Sequence, residues 1–310
     1  MARVLVTGVA GQIGSYVADR LLAGGHTVLG VDRVTALQKA VQMQSGPIDA
    51  PAVEALLDGC GALDAIVHLA GRTSVGESWG APMETFDANA RTTAAFAFAA
   101  QVRKITFVNA SSAEIFGASI HASQNEATPI APVSPYGVAK AAGHAVVRLT
   151  REEMGARATN LVFYLGESIR RAETFVFRKI TRGLARVKLG RAAHLALGNT
   201  AVVRDFLHAD DLAHAAELFA LGAAPGDYVV GSGEGHAVAE IATVCCELFG
   251  LDPAVVVQTD PSLFRRADIP RLVGDATKLR ALGWAPSLGF RALVQSIAEH
   301  DLDVARRENA

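Results

Sequence analysis

Cysteine is scarce in this sequence, with only Cys60, Cys245 and Cys246 among 310 residues. Three cysteines at these spacings form neither a disulfide framework nor a metal-ligand pattern. Cys245 and Cys246 are neighbours in an apolar stretch with helical periodicity, where cysteine usually behaves as a small buried hydrophobe. The sequence therefore predicts a protein without a metal site that resides in a reducing cytoplasm.

Long apolar runs and a strong net charge are also lacking. No run approaches the ~20 residues that span a bilayer, and Met1 leads into a strand pattern without the features of a signal peptide. The formal net charge of −2 gives no electrostatic basis for binding nucleic acid or an anionic membrane. With half of its residues hydrophobic and 19% charged, the chain can bury a full core, and we expect a soluble globular protein.

The first two-thirds of the chain alternates strand-like and helical stretches. Continuous apolar runs that predict buried strands are RVLVTG, HTVLGVD, DAIVHLA, KITFVNAS and TNLVFYL. Helical periodicity marks QIGSYVADRLLAGG, PAVEALLDG, METFDANARTTAAFAFAAQVR and PYGVAKAAGHAVVRLTREEMG. This alternation predicts an α/β fold with a Rossmann-type, doubly wound parallel sheet. Ligand sites of such sheets lie at the carboxyl ends of the strands.

A glycine-rich turn follows the first predicted strand. Gly8, Gly11 and Gly14 are spaced three residues apart, and a helix is predicted from Gln12 and Ile13 onward. Glycine permits a tight turn here and lets backbone N–H groups approach a pyrophosphate at the positive end of the helix. The order of strand, loop, helix and next strand therefore predicts that these five residues bind a dinucleotide.

The second predicted strand ends at Asp32, which bears on the choice of cofactor. A carboxylate at this place accepts hydrogen bonds from the adenosine ribose and repels a 2′-phosphate, which favours NAD. Arg33 follows at once and could bind a 2′-phosphate instead, so NADP stays possible. Leu69 and Ala70 end the run DAIVHLA and are predicted to pass beneath the cofactor. His68 before them fits either that role or a structural strand end.

A serine, a tyrosine and a lysine form the predicted catalytic set. Ser112 ends the strand KITFVNAS, and Tyr136 and Lys140 lie one helical turn apart on one face of the next helix. Lowering a tyrosine pKa from ~10 to about 7 requires roughly 4 kcal/mol, which a lysine ammonium and an oxidised nicotinamide can supply in a buried site. Tyr136 would then take a proton from a substrate hydroxyl held by Ser112, while hydride leaves the same carbon.

These segments resemble the extended short-chain dehydrogenase/reductases, and among them the GDP-mannose 4,6-dehydratases. The resemblance covers almost the whole chain and is carried by TGVAGQIGSYVADRLL, SSAEIFG, NEATPIAPVSPYGVAK, ESIRRAETFVFRKITRGLARVKLG, LGNTAVVRDFLHADDLAHA and DPSLFRRADIPRLVGDATKLRALGW. It implies a sugar-nucleotide 4,6-dehydratase in which the tyrosine and lysine pair oxidises C4. A glutamate then removes the C5 proton, water leaves C6, and hydride returns to C6. By position, that base is Glu114.

Four departures from the family pattern point to a divergent member. Ser112 replaces the usual threonine but keeps the hydroxyl, and Ala113 offers no side-chain acid. Leu165 and Gly166 stand where the family has an Asn-His pair. Asp32 favours NAD, whereas the GDP-mannose enzymes typically use NADP.

The regular alternation fails after about Gly166. We therefore predict an NAD(P)-binding Rossmann domain over residues 1–166 and a mainly sugar-nucleotide-binding lobe over residues 167–310, with some later segments returning to the sheet. By resemblance, the diphosphate and nucleotide contacts of this lobe are Arg178, Lys179, Arg204 and Arg265. Thr174 and Val176 are expected to line the cleft between sugar and base, and His208 and His236 to be structural.

Two other functions stay open beside the dehydratase. A 4-keto-6-deoxy sugar-nucleotide reductase or a 4-epimerase has the same fold, and a reductase would consume external NAD(P)H. A non-catalytic nucleotide-binding regulator would usually have lost Tyr136 or Lys140.

A homodimer, or a dimer of dimers, is expected through the small apolar faces of the helix around residues 94–100 and the helix after Tyr136.

Overall fold

The computed structural model describes residues 1–44, 48–117, 119, 121–264 and 266–308. Its strands are β1 (Arg3–Thr7), β2 (Thr27–Val31), β3 (Gln42–Met43), β4 (Ala65–His68), β5 (Thr106–Ser112), β6 (Ala158–Phe163), β7 (Leu165–Glu167), β8 (Leu195–Leu197), β9 (Val203–Arg204), β10 (Phe206–His208), β11 (Asp227–Val230), β12 (His236–Ala237), β13 (Val257–Thr259) and β14 (Arg271–Leu272).

The α-helices are α1 (Gln12–Ala23), α2 (Val53–Cys60), α3 (Val75–Ser78), α4 (Pro82–Phe86), α5 (Thr92–Arg103), α6 (Pro135–Met154), α7 (Val176–Lys188), α8 (Ala209–Ala220), α9 (Val238–Phe249), α10 (Pro253–Val256), α11 (Thr277–Arg280) and α12 (Phe290–Arg307). Short 3₁₀ turns span Ala50–Ala52, Ala113–Ile115 and Pro261–Leu263, and a π-helical turn spans Asp87–Arg91. No helix among the described residues is long and apolar enough to cross a membrane.

The central layer is a parallel sheet, which across the described ranges has seven strands in the order β3-β2-β1-β4-β5-β6-β11. Apolar residues of α1 and α8 pack on one face of this sheet, and those of α2, α5 and α6 pack on the other. Because both faces are covered, the strands are apolar without alternation, and the prediction of a doubly wound parallel sheet is confirmed.

A second apolar cluster lies beside the sheet and is built mainly by α7, α9 and α12. The segments of residues 167–310 do not all belong to it. Helix α8 packs against α1, and β11 pairs with β6 at the edge of the main sheet, in parallel register from Asp227 opposite Asn160. The division of the chain at residue 166 stays a prediction.

One predicted helix is interrupted. The periodicity of residues 83–103 predicts a continuous helix, but a π-helical turn separates α4 from α5. A π-helical turn contains one more residue than an α-helical turn. Here the turn places the side chain of Asn89 against the loop after β4, where its carboxamide donates to the carbonyl of Arg72 at 2.9 Å.

The cysteines are all in the reduced, unbridged form and buried. Cys245 and Cys246 lie in α9 with no exposed surface, which confirms the prediction that they act as small apolar core residues.

Candidate functional site

The glycine turn joins β1 to α1 with almost no spare room. Gly8 has φ of 70°, which favours glycine, and a Cβ there would lie 2.9 Å from the backbone nitrogen of Ala70. A Cβ on Gly14 would lie 2.1 Å from the carbonyl oxygen of Gly8. The turn therefore requires glycine at both positions and leaves the first N–H groups of α1, which begins at Gln12, facing outward. This is the cradle that a dinucleotide pyrophosphate needs.

Asp32 lies beside this turn at the carboxyl end of β2. Its Oδ2 accepts from the backbone N–H of Ala10 at 3.0 Å, and its Oδ1 accepts from the N–H of Arg33 at 2.7 Å. The carboxylate is thus held against the glycine turn, while the side chain of Arg33 is exposed. This placement suits a carboxylate that receives a ribose hydroxyl.

The end of β4 runs along the other side of the turn. The hydroxyl of Thr7 accepts from the backbone N–H groups of Leu69 and Ala70 at 3.2 and 3.1 Å and is bonded to Nδ1 of His68 at 2.8 Å. The His68 ring is buried and lies 4.8 Å from the ring of Phe96. Burial, assisted by the charge of Lys140, lowers the pKa of His68 to about 3, so the imidazole is neutral. Of its two possible roles, the contacts favour the structural one.

A segment of residues 166–171 docks onto the start of α1, which the sequence did not reveal. The carboxamide of Gln12 donates to the carbonyl of Gly166 and to the hydroxyl of Ser168, each at 3.1 Å. Arg171 donates to Oε1 of Gln12 at 3.0 Å, and Arg170 contacts Asp19 at 2.7 Å. The guanidinium of Arg171 therefore lies at the first residue of α1, next to the end that favours anions, and that of Arg170 lies along the side of the helix. Their partners are about 150 residues away in the chain, and no local pattern indicates them.

Helix α6 presents the predicted tyrosine and lysine to the end of β5. It begins after Ser134, whose hydroxyl accepts from the N–H of Gly137 at 3.0 Å, with Pro135 at the first helical position. Nζ of Lys140 donates to the carbonyl of Ala110 at 2.8 Å, and Tyr136 is hydrogen-bonded to Ser112. The structure thus brings Ser112, Tyr136 and Lys140 together at the carboxyl end of β5.

Burial shifts both titrating groups of this set. It raises the pKa of Tyr136 to about 12, against the lowering effect of the Ser112 hydrogen bond and the Arg171 charge, and Glu114 adds to the rise. Burial also lowers the pKa of Lys140 to about 8. The protein alone therefore keeps the phenol protonated, and a phenolate near neutral pH needs a further positive charge close to Tyr136.

Glu114 lies two residues after Ser112, in the 3₁₀ turn Ala113–Ile115. Its backbone N–H donates to Oγ of Ser112 at 3.3 Å, and its half-buried side chain is close enough to influence the Tyr136 pKa. A narrow pocket opens here, and its lining residues include Ser112, Glu114, Leu165 and Arg204. The side chain of Ala113 is buried and supplies no acid, so Glu114 is the carboxyl group of this turn.

A side chain at position 166, where the family has the second residue of its Asn-His pair, would meet Leu212. A Cβ on Gly166 would lie 2.3 Å from Cδ1 of Leu212, a buried residue of α8. Leu212 therefore occupies the space that a side chain at position 166 would take.

The predicted diphosphate contacts divide into different environments. Arg204 is buried at the pocket, where it donates to the carbonyl of Ile269 at 2.7 Å and faces Asp268 at 3.4 Å. Arg178 is buried and paired with both oxygens of Asp301 at 2.7 and 2.9 Å. This pair lies between α7 and α12 and engages the guanidinium inside the lobe, and the diphosphate contact of Arg178 stays a prediction.

The remaining predicted substrate residues lie near the start of α7. Thr174 is exposed, Val176 is half-buried against the second apolar cluster, and Lys179 is half-buried and electrostatically coupled to Asp260. Arg265 lies outside the described residues.

The two histidines expected to be structural have such contacts. His208 precedes α8, accepts from the N–H of Asp210 at 3.3 Å and packs edge-on against Tyr16. His236 bonds to Glu240 at 2.9 Å and stacks on Phe290 with ring centroids 3.8 Å apart.

A parallel sheet, a glycine turn at its centre and a Ser-Tyr-Lys set at the end of β5 define an extended short-chain dehydrogenase/reductase. The family model of GDP-mannose 4,6 dehydratase matches residues 5–297. The chain belongs to this family of sugar-nucleotide dehydratases, which are lyases of the extended class, and the resemblance drawn from its motifs is confirmed.

Individual relatives match over nearly the whole chain. GDP-mannose 4,6 dehydratase 2 of Arabidopsis thaliana is 36% identical, with 98% of this chain and 88% of the plant protein covered. GDP-mannose 4,6-dehydratase of Vibrio cholerae is 31% identical, covering 98% of this chain and 95% of that protein. The structure of UDP-glucose 4-epimerase from Thermus thermophilus in complex with NAD has a TM-score of 0.86 at 28% identity, covering 96% and 98% of the two chains.

Proposed function

We propose that this protein is an NAD-dependent sugar-nucleotide 4,6-dehydratase acting on GDP-mannose or a close analogue. The observation that carries the proposal is the joint placement of Ser112, Glu114, Tyr136 and Lys140 at the end of β5, beside the glycine turn. A dehydratase needs a proton acceptor for the C4 hydroxyl and a separate base for C5, and this set offers both.

Oxidation at C4 uses the tyrosine, the lysine and the serine. A nicotinamide cofactor, held by the glycine turn and Asp32, would supply the acceptor and the donor of the hydride in this reaction. Ser112 holds the C4 hydroxyl, and Tyr136 takes its proton. Lys140 is anchored to the carbonyl of Ala110, one helical turn from Tyr136, and its ammonium would stabilise the phenolate.

Elimination of water uses Glu114. The C4 ketone makes the C5 proton acidic, Glu114 removes it, and the hydroxyl on C6 leaves as water with one proton. Since Ala113 has no acidic group, Glu114 itself can return its proton to the leaving hydroxyl. The proton held by Tyr136 then restores C5 when hydride reaches C6, so the reaction is redox-neutral overall.

The cofactor fits the residues that are present. Gly8 and Gly14 form a turn that a Cβ would fill, and Asp32 is fixed beside it by the Ala10 N–H. The charge of Asp32 would repel a 2′-phosphate, so we propose NAD in preference to NADP, with Arg33 the residue able to accept NADP. NAD is also bound in the structure of the Thermus thermophilus epimerase.

For the substrate, we propose that the diphosphate and nucleotide lie against Arg204 and Lys179, with Arg265 as a further predicted contact and Thr174 and Val176 at the cleft. The position of Arg204 in the same pocket as Glu114 supports this binding surface for the diphosphate. Arg178 stays a predicted contact of the diphosphate, with its guanidinium paired to Asp301 in this structure.

We also propose a homodimer formed by α5 and α6, which pack side by side. Their outer faces expose apolar residues that a partner copy would cover, namely Phe98, Val102, Val138, Leu149 and Met154. A cytoplasmic location is proposed from the three free thiols. Sedimentation of the purified protein tests the dimer.

The function is tested by incubating the protein and NAD with GDP-mannose, and in parallel with UDP- and dTDP-hexoses, without added reductant. Mass spectrometry should show loss of one water from one donor, and the Glu114→Gln variant should abolish it. The 4-keto-6-deoxy reductase and the 4-epimerase are the alternatives. Stoichiometric oxidation of added NAD(P)H with a 4-keto sugar nucleotide would move the protein to the reductases. An isomeric product without water loss would make it an epimerase.

A further inference from the structure

A histidine of α6 outside the predicted site is hydrogen-bonded to β5, the strand that carries Ser112. His144 lies four residues after Lys140 and eight after Tyr136, on the buried face of α6. Its Nδ1 is 3.0 Å from Oγ of Ser111, the residue directly before Ser112, and both side chains are buried. Three successive residues of β5 thus each hold one residue of α6: Ala110 holds Lys140, Ser111 holds His144, and Ser112 holds Tyr136.

The far side of the imidazole is fixed as well. Nε2 of His144 lies 3.5 Å from Oδ2 of Asp227, and Asp227 is held by Arg151 at 2.9 Å and by the carboxamide of Asn160 at 3.0 Å. Asn160 also donates to the carbonyl of His144 at 3.0 Å. A carboxylate on Nε2 favours the tautomer with its proton there, so that Nδ1 accepts from the Ser111 hydroxyl.

We propose that His144 is a positioning residue for the C4 oxidation: through Nδ1 it fixes Ser111 and so keeps Ser112 in hydrogen-bonding position against Tyr136. The inference rests on the proposed function of Ser112 and Tyr136. His144 contacts neither substrate nor cofactor in this proposal. It acts by setting the register between α6 and the end of β5, and displacements of about 1 Å at such a site lower rates by up to ~100-fold.

Two amide variants distinguish the role of Nδ1 from that of Nε2 in the His144 ring. In His144→Asn the carboxamide reaches the place of Nδ1 and can keep the Ser111 contact, whereas in His144→Gln it reaches the place of Nε2 and can keep Asp227. We expect His144→Gln and Ser111→Ala to lower kcat by about tenfold to a hundredfold with little change in KM, and His144→Asn to restore most of kcat.

If His144 acts only through its contact with Asp227, the order of the kcat values is reversed: His144→Gln stays close to wild type and His144→Asn is impaired. That result, or equal loss in both variants, would overturn the proposal. Melting temperatures of all variants show whether a loss of kcat follows a loss of folding.

A second readout does not depend on the substrate. With NAD bound, the pKa of Tyr136 is measured from tyrosinate absorbance, using Tyr136→Phe as the reference for the other tyrosines. Because the Ser112 hydrogen bond lowers this pKa, His144→Gln should raise it by about one unit and His144→Asn should leave it unchanged. If no donor loses water, the proposed function fails, yet this titration still decides whether His144 positions Ser112. An unchanged Tyr136 pKa in His144→Gln would refute the inference.

Discussion

Replacing Gly14 by alanine adds one methyl group where the glycine turn has no room. The new Cβ would lie 2.1 Å from the carbonyl oxygen of Gly8, 2.8 Å from its carbonyl carbon and 2.9 Å from Cα of Val9. All three atoms are backbone, so a side-chain rotation cannot relieve the overlap and either the turn or α1 must move. Overpacking of this kind costs about 1–3 kcal/mol. At roughly 2 °C per kcal/mol for a chain of this size, Tm should fall by about 2–6 °C.

The same displacement should weaken NAD binding, because it moves the N–H groups that face the pyrophosphate. Calorimetric melting and NAD titration measure the two effects. Gly59→Ala in α2 is the matched control, since a Cβ there meets nothing within 4 Å and its φ is not positive. As a glycine in a helix, it should gain up to about 1 kcal/mol on replacement, with unchanged NAD affinity. A Gly14→Ala protein with the Tm and NAD affinity of the wild type would refute the reasoning.

Three further predictions concern charge. Asp32→Ser should lower the preference for NAD over NADP by about tenfold, equivalent to ~1.4 kcal/mol of lost repulsion, and the ratio of the two Kd values measures it. Burial lowers the pKa of Lys140 to about 8, so its ammonium is lost as pH rises through that value and kcat should fall there; constant kcat up to pH ~10 would contradict this role. Burial, against the charges of Arg171 and Arg178, raises the pKa of Glu167 to about 7 from 4.5. The folded state therefore holds the proton more tightly, and stability present below pH 4.5 is lost as pH rises to 7, by up to about 3 kcal/mol. Glu167→Gln should flatten the dependence of Tm on pH across that window, and an unchanged slope would count against it.

Much of the sheet could be predicted because its strands are buried on both faces. Runs such as RVLVTG and DAIVHLA are apolar throughout, and their order between helical stretches leaves few topologies. The two-residue strand β3 carries no such signal, since Gln42 and Met43 are a polar and an apolar residue on a half-covered edge. The π-helical turn before α5 escapes prediction as well, because helical periodicity does not distinguish an extra residue in one turn.

The catalytic set could be located from local spacing, whereas its supports could not. Tyr136 and Lys140 are four residues apart, so one helix fixes their geometry. Arg178 and Asp301 are 123 residues apart, and the local sequence shows the positive charge of Arg178 without its buried partner. A basic residue in a family motif is therefore weak support for an anion site until its counterion is known.

The segment around Leu165 and Gly166 is linked to the candidate site through α1. Leu212 on α8 packs over Gly166, and Gln12 of α1 donates to the Gly166 carbonyl at 3.1 Å. Gln12 in turn receives Arg171, whose charge lowers the Tyr136 pKa. A chain of hydrogen bonds therefore runs from Gly166 through Gln12 to Arg171. Because this chain ends at Arg171, whose charge acts on Tyr136, we expect the departure at Leu165 and Gly166 to alter the surroundings of Tyr136 while leaving Tyr136 and Glu114, the proton acceptors of the proposed reaction, in place.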